Sequence, residues 1–148
     1  ARTSVLGERI GSRTLDRVTV DGCRFAVGGE RFRAQGVIYG PFAPDEAGDQ
    51  FPPAARVRTD FAQMAAAGIN AVRTYHVPPE WFLVVAAEAG IRVFVDVPWR
   101  KHLCFLDGEA ARREARDAVA RAAGLSARHP ALMAVSVGNE ISPDMVRW

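Results

Sequence analysis

A chain of 148 residues, 49% hydrophobic and 24% charged, has an ordinary globular composition with length for one core, which excludes disordered and collagen-like chains. Its 19 Lys and Arg against 17 Asp and Glu give no excess that would draw nucleic acid or an anionic membrane surface as a partner. The longest apolar run, Trp81 to Ala87, is too short to span a bilayer, and the opening ARTSVLGERI has no signal-peptide core, so a soluble, cytoplasmic chain is expected.

Cys23 and Cys104 stand far apart and form no metal-ligand spacing, so the expectation is two free thiols, no metal and no cofactor. Residues 1–16 mix Arg, Ser, Gly and Glu without apolar periodicity and read as a loosely held arm. From Arg17 the stretch RVTVDGCRFAVGGERFRAQG alternates apolar and polar residues. Asp21-Gly22 and Gly28-Gly29 stand where tight hairpins need positive φ, which predicts a small antiparallel element of two or three strands over 17–35.

Residues 36–148 change style. Four short apolar runs, GVIYG, Ile69 to Tyr75, Arg92 to Trp99 and Ala131 to Glu140, have the near-continuous character of parallel strands covered on both faces. Between them lie three helical stretches. Arg56 to Ala67 carries Val57, Phe61 and Met64 at helical spacing and stops at Gly68. Pro79 to Ala89 opens with Pro in the first turn and Glu80 beside it, and stops at Gly90. Asp107 to Ala127 is rich in Ala and Arg, with one solvated face. Strand starts fall roughly 30 residues apart, the length of a βα unit. The fold class is therefore α/β. Periodicity alone leaves a doubly wound sheet and a (β/α)8 barrel both open, but no GxGxxG and no GxxxxGK[ST] follows any strand, which counts against a nucleotide-binding sheet.

In parallel α/β proteins, ligands collect beyond the C-terminal ends of the strands. There stand Tyr39 after the first strand, and Arg73, Tyr75 and His76 on and after the second. Asp96, Trp99, Arg100, Lys101 and His102 belong to the third, and Asn139 and Glu140 end the fourth. Aromatic, cationic and acidic side chains together suit a sugar, whose ring faces are apolar and whose rim is hydroxyl. Glu140 can serve as a general acid, or simply as a helix cap or surface carboxylate. Arg73, on an otherwise apolar strand, needs either an acid such as Asp96 or a polar pocket. His76 and His102 form no HxH or HExxH arrangement. Trp81 and Phe82 are expected to fill core.

The run DFAQMAAAGINAVRTYHVPPEWFLVVAAEAGIRVFVDVP, from Asp60 to Pro98, followed by HPALMAVSVGNEI, from His129 to Ile141, resembles the catalytic barrel of glycoside hydrolase family 2 and the wider clan A. RFRAQGVIYGPFAP, from Arg31, looks like the entry and first barrel strand of those enzymes. The resemblance implies the N-terminal half of a TIM (β/α)8 barrel, with strands one to four and helices one to three, in a retaining β-glycoside hydrolase or transglycosylase acting on β-linked oligo- or polysaccharide. It implies Glu140 as acid/base, Asn139 as the amide that meets the sugar 2-hydroxyl, and Arg73 as the cation that keeps the nucleophilic carboxylate ionised. His76 takes the place of the family's histidine after strand two, although VPPEW departs from the commoner tyrosine-proline continuation. Trp99 and Tyr39 are candidate sugar platforms.

The family's nucleophile is a Glu at the end of strand seven, and a complete barrel takes about 250 residues. The expectation is thus a fragment that stops inside its fourth helix, begun at Ser142-Pro143-Asp144, inactive alone and self-associating through exposed barrel edges. A second reading is a non-catalytic carbohydrate-binding or regulatory module attached to another enzyme such as a glycosyltransferase.

Overall fold

The computed structural model describes residues 15–46, 48, 50–98 and 108–141. Most of the expected arm, the Trp99 to His102 stretch, Cys104 and the expected fourth-helix start at Ser142 lie outside the described residues.

Three antiparallel strands come first: β1 (Val18–Asp21), β2 (Arg24–Val27) and β3 (Glu30–Phe32), in the order β1-β2-β3. Gly28 and Gly29, at φ +59° and +84°, make the second turn as the alternation predicts. The first turn sits one residue later than expected. Asp21 remains in β1 opposite Arg24, an opposite-charge cross-strand pair, so Gly22 and Cys23 form the corner and only Gly22 is left-handed, at φ +57°.

The parallel sheet follows: β4 (Gly36–Ile38), β5 (Ala71–Thr74), β6 (Arg92–Asp96) and β7 (Leu132–Ser136). They alternate with α1 (Ala54–Ala66), α2 (Glu80–Glu88) and α3 (Glu109–Arg128). The order β4-β5-β6-β7 is sequential and every pair is parallel, as in part of a barrel and unlike a sheet whose strand order reverses. Gly68 and Gly90, at φ +82° and +72°, stop α1 and α2 as C-terminal glycines do. Pro79 is the cap residue of α2 rather than part of its first turn, because its ψ of 157° is extended.

Alternation along the strands divides the sheet into two faces. Val72, Val93 and Val95 meet Val57 and Phe61 of α1 and Phe82, Leu83 and Val85 of α2 in the main core. A smaller cluster joins Val97 to Ala118 and Ala122 of α3, whose small side chains let the helix approach closely. The central strands β5 and β6 are largely buried, with Arg73 and Phe94 partly exposed. β4 is more open: among the described residues it pairs only with β5, and Val37 and Ile38 are 39% and 54% exposed. The near-continuous apolar run there predicts cover on both faces, which the described residues do not supply.

The antiparallel element closes the N-terminal end of the sheet. Arg17 donates to the carbonyls of Ser126 and Ala127 at the C-terminus of α3. The Asn70 amide accepts from the Gln35 backbone N–H at 2.7 Å and donates to the Arg33 carbonyl at 2.9 Å, bracing the entry to β4. Arg92, buried beneath the Phe32 ring at 6.0 Å, donates to the Pro130 carbonyl at 3.0 Å. Burial lowers its pKa from the ordinary value, partly offset by Asp16. With this end closed, the opposite end is left for ligands.

Candidate functional site

At the C-terminal ends of the parallel strands is an open cleft of about 410 Å³ lined by Pro41, Tyr75, His76, Asp96, Val97, Pro98, Asn139 and Glu140. Each strand end, or the loop that follows it, contributes, because the loops converge there. Two strand ends use the same local device. Thr74 Oγ1 donates to the His76 carbonyl at 3.0 Å, and Ser136 Oγ donates to the Gly138 carbonyl at 2.7 Å, so a hydroxyl at the end of each strand holds the turn that presents the site.

The centre is a chain of three side chains. Arg73 Nε donates to Asp96 Oδ2 at 2.7 Å, and Arg73 Nη2 donates to Asn139 Oδ1 at 2.8 Å. Asp96 is 1% exposed, while the Arg73 side chain is 38% exposed. The guanidinium also lies over the Tyr75 and Phe94 rings, at 5.2 and 5.5 Å. The hydrogen bond to Asp96 raises the Arg73 pKa, as does the charge of Glu140, so the cation is permanent. The second Asp96 oxygen, Oδ1, is buried and has no hydrogen-bond partner among the described residues. The ion pair that the sequence offered as one explanation of Arg73 is present, and it leads directly to Asn139.

Glu140 has φ +52°, in the left-handed region that non-glycine residues enter at a cost of roughly 1–2 kcal/mol. It lines the cleft beside Asn139. His76 lines it too, and burial lowers its pKa below the ordinary 6.5, favouring a neutral imidazole. Among the described residues no group of three or more His, Cys, Asp or Glu could hold a metal ion, and no helix is long and apolar enough to cross a membrane.

Of the candidates read from the sequence, Arg73, His76, Asn139 and Glu140 come together. Trp99 lies outside the described residues. Tyr39 goes elsewhere, which corrects its reading as a sugar platform. Its backbone N–H continues the β4 ladder to the Arg73 carbonyl at 2.8 Å, and alternation with Ile38 turns its ring to the helix side. There it is 6% exposed, packed on Phe42, Phe61 and Phe82 at 5.0, 5.4 and 5.9 Å, with its hydroxyl donating to Asp60 Oδ2 at 2.8 Å. The residue undervalued from sequence is Asp96. The signal for it was the pairing of Arg73 with an acid at the end of the next strand.

No protein-family model matches the chain, and no curated protein matches it in sequence. Solved structures do. A β-glucuronidase of Parabacteroides merdae superposes with a TM-score of 0.60 at 24% identity, over 76% of this chain and 14% of that one. An exo-chitosanase of Amycolatopsis orientalis gives 0.62 at 18%, over 86% and 16%. Gas2, in complex with a compound, gives 0.64 at 17%, over 89% and 33%. The chain thus spans a third or less of each of these structures, and what it shares with them is the fold.

Proposed function

We propose that this chain is the first half of a family 2-like, clan A (β/α)8 barrel and carries the acid/base side of a retaining β-glycosidase or transglycosidase site. The observation that carries the reading is the meeting of His76, Asn139 and Glu140 in one cleft at the C-terminal strand ends, with Arg73 bonded to Asn139. The fold shared with a β-glucuronidase and an exo-chitosanase supports it.

In this reading Glu140 protonates the leaving glycosidic oxygen and then takes a proton from water or an acceptor hydroxyl. Asn139 hydrogen-bonds the sugar beside the anomeric centre. Neutral His76 donates to or accepts from a hydroxyl without adding charge. The nucleophile is a carboxylate from outside these residues, about 5 Å from Glu140 in the assembled site. Asp96, engaged by Arg73, is not that group. The apolar residues of the β4 edge, Val37 and Ile38, support self-association or strand addition along that edge.

Calorimetric titration of the 148-residue chain with β-linked oligosaccharides tests the reading. Binding without turnover is expected. Turnover of an aryl β-glycoside by this chain alone, abolished by Glu140→Gln, contradicts the division of the site.

A further inference from the structure

We propose that Asp96 is a positioning residue which, acting through Arg73, determines which end of the Asn139 amide is offered to a ligand. A guanidinium has donors only, so the Asn139 atom facing Arg73 Nη2 at 2.8 Å is the acceptor Oδ1. A flipped amide would set NH₂ against N–H. The end left over is Nδ2, a donor, on a residue that lines the cleft. Arg73 can impose this only while its own plane is held, and the group holding it is Asp96, at 2.7 Å and 1% exposed at the end of the central strand β6.

The second Asp96 oxygen extends the argument. Oδ1 is buried with no partner among the described residues, on a residue of the same cleft, and a pair serving stability alone gains nothing from an orphaned anionic acceptor. What the cleft is offered is therefore the donor at Asn139 Nδ2, which suits the oxygen of a neutral hydroxyl. That the hydroxyl belongs to a sugar rests on the proposed function. The polarity of the site does not.

Nitrogen-15 NMR of the 148-residue chain reads this directly from the Arg73 Nε–H and the Asn139 side-chain amide. In the unsubstituted chain both are expected to be resolved and protected from exchange. In Asp96→Leu the Arg73 signal should be lost to exchange and the Asn139 pair should move to free-amide positions, with the backbone signals of β5 to β7 in place. Asp96→Asn, which keeps the volume, should shift the same two signals by less, and it serves if the leucine variant does not fold. Asn139 signals that stay put in Asp96→Asn, and in a folded Asp96→Leu, overturn the proposal. Titration with methyl β-D-glucopyranoside is the second arm. Failure to bind counts against the sugar reading alone, because the Asn139 signals judge the positioning role without it.

Discussion

Arg73 Nη2 and Asn139 Oδ1 meet at 2.8 Å, joining the end of β5 to the turn after β7 across the top of β6. The bond exists because Asp96, on the intervening strand, holds the other side of the same guanidinium. Replacing Arg73 with Leu leaves Asp96 buried without a counter-charge. The expected cost is about 1–3 kcal/mol in urea unfolding, the penalty for an unsatisfied buried polar group. Arg73→Leu combined with Asp96→Leu should recover part of it, because both charged partners are then gone. Equal losses in the single and double variants would show that the two side chains are not coupled.

Tyr39→Phe separates core from cleft. The variant keeps the ring among Phe42, Phe61 and Phe82 and removes the hydroxyl that donates to Asp60 at 2.8 Å. A loss of about 0.5–1.5 kcal/mol is expected, with oligosaccharide binding unchanged by calorimetry. Weakened binding at unchanged stability would return Tyr39 to the site.

His76 predicts a pH dependence of definite sign. Burial lowers its folded pKa below the 6.5 of the free side chain, so on acidification the unfolded chain takes up the proton first. Its contribution is fully present above pH 6.5 and is lost as the pH falls through the lower, folded value. The imidazole signal in NMR should titrate with a midpoint below 6.5, and His76→Gln should flatten the acid side of the stability profile. A midpoint at or above 6.5 contradicts the burial argument.

Much of the fold was legible because burial leaves a strong mark. Ile69 to Tyr75 and Arg92 to Trp99 are largely apolar, and the strands found within them, β5 and β6, are the two central ones. Less legible was what depends on pairing. The direction of Tyr39 follows from its ladder bond to Arg73, and composition at a strand end carries no such information. The role of Asp96 needs β5 and β6 to be parallel neighbours, with Arg73 opposite Phe94, so that an acid two residues further on reaches the guanidinium. The first hairpin corner moved by one residue because Asp21 and Arg24 pair across it.

Arg17 ties the antiparallel element to the rest through two carbonyls at the end of α3, where a cation also meets the negative end of the helix dipole. Arg17→Ala should cost about 1 kcal/mol and raise hydrogen exchange first in β1 to β3. Exchange that rises equally in β5 and β6 would mean the element is not a separable closure.

The central claim concerns Glu140, and leaving-group dependence tests it most directly. A dinitrophenolate departs without a proton, whereas a poorer leaving group needs one. The full-length gene product and its Glu140→Gln variant should be compared on a dinitrophenyl and an alkyl β-glycoside. The account predicts a loss of about 10²- to 10⁴-fold on the alkyl glycoside and a far smaller loss in glycosyl transfer from the dinitrophenyl one. Unchanged activity on the alkyl glycoside, or equal losses on both in that first step, would contradict the assignment of Glu140 as the acid/base.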